Sequence, residues 1–249
     1  MKFPVALQVY TVRNEMDRDY FGSLQKIAET GYQGVELSLP PAGISVSQVR
    51  DYLGQAGMKW VGCHAGYDAL SNNIDGLLAS LNEAGCKNLI LSYLTYHSRQ
   101  DVLDAAKKFN EFGKTCQAAG IQFFYHNHNH EFVQIEGERI LDLLLKETDP
   151  ALVKLEMDTY WVQRGGSDPT EYLRGLHGRC PLLHIKDMEA GPEQFFAEIG
   201  EGILNFGSIL QEAQAAGVEW LIVEQDAGRR SPFDSIAISY RNLSKMGVL

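Results

Sequence analysis

The sequence has no long apolar run. Its 249 residues contain no stretch of about 18 consecutive apolar positions, so nothing in it reads as a membrane-spanning helix. Cysteine is sparse. Cys63, Cys86, Cys116 and Cys180 stand far apart and form no CxxC pair, which argues against a disulfide framework or a zinc knuckle and leaves buried reduced thiols as the expectation. Cations are also short: the formal net charge is −10. A phosphate backbone is gripped by clustered Lys and Arg, so general nucleic-acid binding is not expected. No GxGxxG follows the first apolar run, which weighs against a dinucleotide-binding open sheet. No Pro/Ser-rich linker or low-complexity tract breaks the chain. The opening Met1-Lys2-Phe3-Pro4 leads straight into a β-prone segment, without the apolar stretch and cleavage site of a secretory signal, so a cytoplasmic location is the expectation.

What the sequence does have is regular alternation. Short β-prone runs occur at Val5–Thr11, Gly34–Ser38, Lys59–Ala65, Asn88–Leu94, Ile121–Asn127, Val153–Thr159, Pro181–Asp187 and Trp220–Asp226, eight in all. Between them, Tyr20–Glu29, Val46–Ala56, Val102–Ala119, Arg139–Lys146 and Phe206–Ala216 carry helical periodicity, and Gly31, Gly57, Gly120 and Gly217 act as stop signals. Eight βα units filling residues 1–249 predict a single α/β domain, a closed (β/α)8 barrel.

In such a barrel the chemistry sits at the C-terminal strand ends, and residues two apart share a face. The strand ends here are polar. Strand two carries Glu36, strand three His64, strand five His126 and His128, strand six Glu156 and Asp158, strand seven His184 and Lys186, and strand eight Glu224 and Asp226. The intervening apolar positions would pack against helices. Burying so many ionisable groups costs several kcal/mol for each one left unpaired. Salt bridges among Lys154, Lys186, Glu36 and Glu156 would offset part of that cost, and a bound cation more. Carboxylates mixed with imidazoles suit Mn, Co, Zn or Fe(II) better than Mg. His126, His128 and His130 cannot all serve one ion.

These residues resemble the xylose-isomerase-like TIM barrels, a superfamily of sugar and sugar-phosphate isomerases and epimerases that also includes inosose dehydratase and an apurinic endonuclease branch. The matching stretches are Leu7-Gln8-Val9-Tyr10-Thr11-Val12-Arg13, Gly34-Val35-Glu36-Leu37, Tyr125-His126-Asn127-His128, Met157-Asp158-Thr159-Tyr160-Trp161 with Gly165-Gly166, His184-Ile185-Lys186-Asp187, Gly200-Glu201-Gly202 and Val223-Glu224-Gln225-Asp226. The resemblance implies one divalent metal ion held by His126, Asp158, His184 and Glu224. The epimerases carry glutamate where this chain has His126, and the Tyr-His-x-His stretch is closer to inosose dehydratase.

The implied chemistry is proton abstraction beside a carbonyl with a metal-stabilised enediolate. Glu224 is one base, and His64 and Glu156 are candidates for the opposite partner. Lys186 would polarise a carbonyl or donate a proton, or else form a salt bridge with Glu156 or Asp226. Glu36, Tyr10, His128, Trp161 and Arg229 complete the set as candidate substrate contacts; Tyr10 and Trp161 would stack on a sugar ring or pack in the core. The loop after strand seven is acidic, with Glu189, Glu193 and Glu198, so only Arg229 and Arg230 favour a phosphorylated substrate. An uncharged sugar, polyol or keto-sugar is the expected small-molecule partner. The leading expectation is a sugar isomerase or epimerase, followed by a keto-sugar or keto-cyclitol dehydratase. Abasic-DNA cleavage and non-catalytic sugar binding are the remaining readings. A homo-oligomer is compatible with the surface helices, and nothing selects its order.

Overall fold

The computed structural model describes residues 2–249. Eight parallel strands close into a barrel in the order β1-β8-β7-β6-β5-β4-β3-β2. They are β1 (Val5–Gln8), β2 (Gly34–Leu37), β3 (Lys59–Ala65), β4 (Asn88–Leu91), β5 (Gln122–His126), β6 (Val153–Asp158), β7 (Leu182–Ile185) and β8 (Trp220–Val223). The expected strands are therefore all present, and most end earlier than their β-prone runs. After β1, for example, the Gln8 side chain accepts the Tyr10 N–H and turns the chain into a 3-10 turn over Val9–Val12.

Among the described residues ten α-helices surround the barrel: α1 (Arg13–Arg18), α2 (Tyr20–Thr30), α3 (Val46–Gln55), α4 (Tyr67–Ala84), α5 (Arg99–Ala118), α6 (Ile140–Glu147), α7 (Thr159–Arg164), α8 (Pro169–Arg174), α9 (Phe206–Ala216) and α10 (Pro232–Lys245). Helix α5 begins three residues before the expected Val102, because Ser98 and Asp101 form a reciprocal capping box. Gly31, Gly57, Gly120 and Gly217 all have positive φ, the left-handed conformation that ends a helix cheaply only at glycine. No helix among the described residues is long and apolar enough to cross a membrane.

The period-two pattern divides the strands between two environments. Outward residues such as Leu7, Val35, Leu89, Phe123, Leu155, Leu183 and Leu221 join the layer beneath the helices. Inside, Ala6, Val61, Ile90, Phe124, Leu182 and Ile222 form an apolar plug, its larger members contributing about 1.5–3 kcal/mol each. The next inward residue on most strands is polar, so the charged layer rests on this plug.

The expected ion-pair role of Lys154 does not hold. Its ammonium donates to the Gly178 carbonyl at 2.8 Å, away from the carboxylates. Lys154 shares a face with Glu156 but sits one layer lower, about 6.6 Å back along the strand.

The connection after β7 is tied by a single buried carboxylate. Asp187 accepts the backbone N–H groups of Met188, Gly200, Gly202 and Leu204 at 2.8–3.1 Å. One side chain thereby folds the 187–204 segment back over the strand end that carries Lys186.

Candidate metal centre

Eight ionisable side chains converge above the plug: Glu36, His64, His126, Glu156, Asp158, His184, Lys186 and Glu224. All are buried except His64, which is partly open to solvent. Each projects from the inner face of a strand or from the residues just beyond its end. Gly62 on β3 makes room, since a Cβ there would lie 2.4 Å from Glu36 Oε1 and 2.7 Å from Ile90 Cδ1.

The groups arrange in two tiers that share two imidazoles. His184 Nδ1 lies 2.9 Å from Glu224 Oε2 and 4.0 Å from Asp158 Oδ2, while His126 Nε2 lies 3.9 Å from Asp158 Oδ2. The opposite ring nitrogens turn towards other carboxylates: His184 Nε2 is 2.6 Å from Glu36 Oε2, and His126 Nδ1 is 3.0 Å from Glu156 Oε2. His64 Nε2 bridges Glu36 and Glu156, 3.0 Å from each. Lys186 Nζ stands 3.1 Å from Asp158 Oδ2, 2.7 Å from Glu224 Oε2 and 2.9 Å from Asp226 Oδ1.

Burial and these pairings push the titrations apart. Burial opposes charge on Glu36, yet His64 and His184 hold it well below the usual carboxylate range. Burial likewise opposes a charge on His64, but Glu36 and Glu156 outweigh it and raise the imidazole to about 10. Glu156 is pushed up to about 7 by burial and by Glu36. Burial and neighbouring His184 keep His126 neutral, as a ligand nitrogen must be. Glu224 is held low, since Lys186 and His184 overcome its burial, whereas burial raises Asp226 to about 6.

The sign for stability follows from His64. Its folded value is raised from 6.5 to about 10, so its contribution is complete below about 6.5 and is lost as pH rises through about 10. Thermal unfolding of the metal-free protein should therefore move to lower temperature between pH 7 and pH 10. An unchanged or rising midpoint would contradict the paired His64.

A family model described as xylose isomerase-like TIM barrel matches residues 24–243. The chain belongs to that family. Among its curated relatives is an inosose dehydratase from Mesomycoplasma hyopneumoniae, 26% identical over 88% of this chain and 85% of that protein. A crystal structure of a sugar phosphate isomerase/epimerase from Parabacteroides distasonis superposes with a TM-score of 0.87 at 27% identity, covering 97% of both chains. The IolI protein, whose crystal structure holds a zinc atom, shares the fold at a TM-score of 0.76 and 14% identity, with 98% of this chain and 97% of that one covered.

This xylose isomerase-like barrel offers a donor set that fits a divalent ion. One ligand atom from each of His126, Asp158, His184 and Glu224 can be chosen so that all lie within 4.8 Å of one another. The quoted separations of 2.9–4.0 Å suit ligands about 2.1 Å from a common centre. Asp158 Oδ2 is buried with no hydrogen-bond partner, since Lys186 is near enough to pair with it but poorly directed. Glu156 and Glu36 contact the second nitrogens of His126 and His184, the outer carboxylates that orient metal-bound imidazoles. A second group, His64, His126, Glu156 and His184, also lies within that span, but it would consume the nitrogens that face those carboxylates.

Above the cluster opens a cavity of about 970 Å³. Of the strand-end and substrate-contact candidates, Tyr10, His64, His126, His128, Lys186, Glu224 and Asp226 line it. Glu36 and Glu156 lie beneath, fully buried against the imidazoles. Trp161 packs behind His128, with 5.3 Å between ring centroids, outside the cavity lining. Lys186 pairs with Asp226, as one alternative foresaw, and with Asp158 and Glu224 rather than Glu156.

Arg229 is the clear departure. Its guanidinium is spent on Glu189 and Glu193 at 2.9–3.0 Å, outside the cavity. Arg230 is paired with Glu198 and Glu201 in the same way. Both guanidiniums are exposed, so solvent screens these pairs strongly. Arg229→Ala should change kcat/KM by less than about twofold; a tenfold rise in KM would place it at the substrate after all.

Ser92 and Tyr93 also line the cavity, as do Gln8 and Arg13, which the sequence marked only within the Leu7–Arg13 stretch and not as site residues. Gln8 follows Ala6 on the inward face of β1, and Ser92-Tyr93 follow the last residue of β4. Reading those two strand ends as closely as the charged ones would have found them.

Proposed function

We propose that this chain is a divalent-metal-dependent enzyme that removes the proton beside the carbonyl of a keto-sugar or keto-cyclitol, with loss of a β-hydroxyl as water as the favoured outcome. One observation supports elimination over the expected epimerisation. The strand-end carboxylates that line the cavity, Glu224 and Asp226, both follow β8, whereas the β3–β5 wall presents His64, His126 and His128. Two-base epimerisation of the kind implied by the resemblance uses carboxylates on opposite sides of the substrate. The inosose dehydratase relatives agree with this reading.

Glu224, kept ionised by Lys186 and His184, is the base that takes the carbon-bound proton. His64, held as an imidazolium between Glu36 and Glu156, faces the same cavity and protonates the departing hydroxyl, so that water leaves and the C–O electrons are accounted for. Lys186 sustains charge balance beside Glu224 and can polarise the substrate carbonyl. A divalent ion held by His126, Asp158, His184 and Glu224 would supply Lewis acidity to that carbonyl, and two imidazoles among four ligands favour Mn, Co, Zn or Fe(II) over Mg.

The substrate we infer is uncharged. Among the described residues, the Lys and Arg side chains that line the cavity already have partners within the protein. Arg13 donates to the carbonyls of Tyr10 and Asp226, and Lys186 stands among three carboxylates. Epimerisation is the second reading, supported by the Parabacteroides relative; His64 would then return the proton to carbon.

Incubating the metal-loaded protein with keto-cyclitols and keto-sugars separates the two. Elimination predicts a product lighter by one water with a new conjugated-carbonyl absorbance. A product that has lost no water and carries solvent deuterium at carbon would replace it with epimerisation. No change in any substrate would remove the enzymatic reading.

A further inference from the structure

The cavity is larger than the proposed reaction needs. Its volume of about 970 Å³ lies near the top of the range for pockets that hold drug-sized ligands, about 300–1,000 Å³. A single sugar or cyclitol ring is well below drug size. The surplus space is also chemically unlike the floor. Away from the ionisable cluster, Met16, Tyr20, Leu37, Leu39, Pro41 and Ile44 form most of the wall, from α1, the start of α2, the end of β2 and the segment that follows it, with Asp17 and Ser38 interspersed. Tyr10 stands where wall and floor meet, half exposed, with the Arg13 guanidinium 4.1 Å from its ring centroid. Arg13 also lines this part of the cavity, with Nη1 and Nη2 each donating to a backbone carbonyl, so the apolar surface carries a guanidinium at its edge.

Floor and wall belong to one continuous cavity, so a ligand on the floor reaches the wall without leaving the pocket. We infer that the apolar wall is a subsite for a substituent of the substrate itself. The substrate class is then a sugar conjugate whose polar ring lies over His64, Lys186 and Glu224 and whose neutral aryl or alkyl aglycone fills the space against Met16, Leu39 and Ile44. This inference rests on the floor being the sugar site. A second copy of the chain is not needed to cover this wall.

Calorimetric titration of the metal-loaded protein with glucose, phenyl glucoside and hexyl glucoside tests the subsite. Burying an aryl or alkyl group against this wall should tighten binding of the two conjugates by about ten- to a hundredfold over glucose. Leu39→Glu and Ile44→Glu, both at partly exposed loop positions, should bring the ratio of conjugate to glucose affinity down towards one. Their folding is checked by thermal unfolding and metal content. Equal affinity for all three ligands would overturn the subsite and leave the floor as a sugar site. A conjugate preference that both folded variants retain would also overturn it, by placing the aglycone elsewhere. Absence of binding by glucose and conjugates alike would remove the subsite together with the sugar-binding reading beneath it.

Discussion

Glu224→Gln is expected to lower kcat by at least about 10³-fold, because it removes the general base and one charge of the donor set in a single change. Glutamine keeps the length of the side chain but cannot accept the proton. It also withdraws the carboxylate that faces His184 Nδ1 at 2.9 Å and Lys186 Nζ at 2.7 Å. Metal affinity should fall with it, since a neutral oxygen replaces an anionic one. The two effects are separable by measuring turnover at saturating metal alongside metal content after dialysis. A variant that binds no metal but recovers full turnover when metal is added would leave Glu224 as a ligand and take away its role as base.

Asp187→Ala is expected to cost about 3–5 kcal/mol, among the largest stability effects available outside the apolar core. Four backbone N–H groups converge on this one carboxylate, and alanine leaves all four without it, those of Met188 and Leu204 at buried positions. For a domain of this length the loss corresponds to a fall in Tm of about 6–20 °C. The consequence reaches the site as well, because Asp187 directly follows Lys186 and fixes the segment that leaves β7. Thermal unfolding of the purified variant measures the first effect. A Tm within about 2 °C of the parent would mean that the 187–204 segment is held by other contacts, such as the Glu198–Arg230 and Glu198–Ser235 pairs.

Much of this molecule is legible in its sequence because a strand has a period of two. Val153-Lys154-Leu155-Glu156-Met157-Asp158 places its apolar residues on one face and its ionisable residues on the other, and β6 folds that way, with Leu155 and Met157 under the helices and Glu156 and Asp158 inside. The same alternation brings His184, Glu224 and His126 inward. Period two gives the face but not the depth, which is why Lys154 reads as a partner of Glu156 and is instead bonded to Gly178 at the other end of the barrel.

Strand ends are harder to read. Lys186, Glu224 and Asp226 lie just past the last paired residue, where β propensity still runs but the backbone has already left the ladder. His128 is placed by a contact outside the period-two pattern, the nearby Glu131 carboxylate that accepts its N–H at 2.8 Å and also takes the Tyr125 hydroxyl. Arg229 shows the opposite limit. Acidic Glu189 and Glu193 stand 40 and 36 residues away in sequence, and only the folded loops bring them to the guanidinium and use up its charge. The apolar wall is assembled from α1, the start of α2, the end of β2 and the segment after it, elements that only the fold brings together.

The central claim is the metal centre, and it is tested most directly by anomalous diffraction from crystals grown with Mn, Co or Zn, with data on both sides of the metal's absorption edge. The account predicts one strong edge-dependent peak within coordinating distance of His126, Asp158, His184 and Glu224 together, with Glu36 and Glu156 on the far nitrogens of the two imidazoles. A peak bound by Asp158, His184 and Glu224 without His126, a peak among His64, His126, Glu156 and His184, or no peak at these strand ends would contradict it.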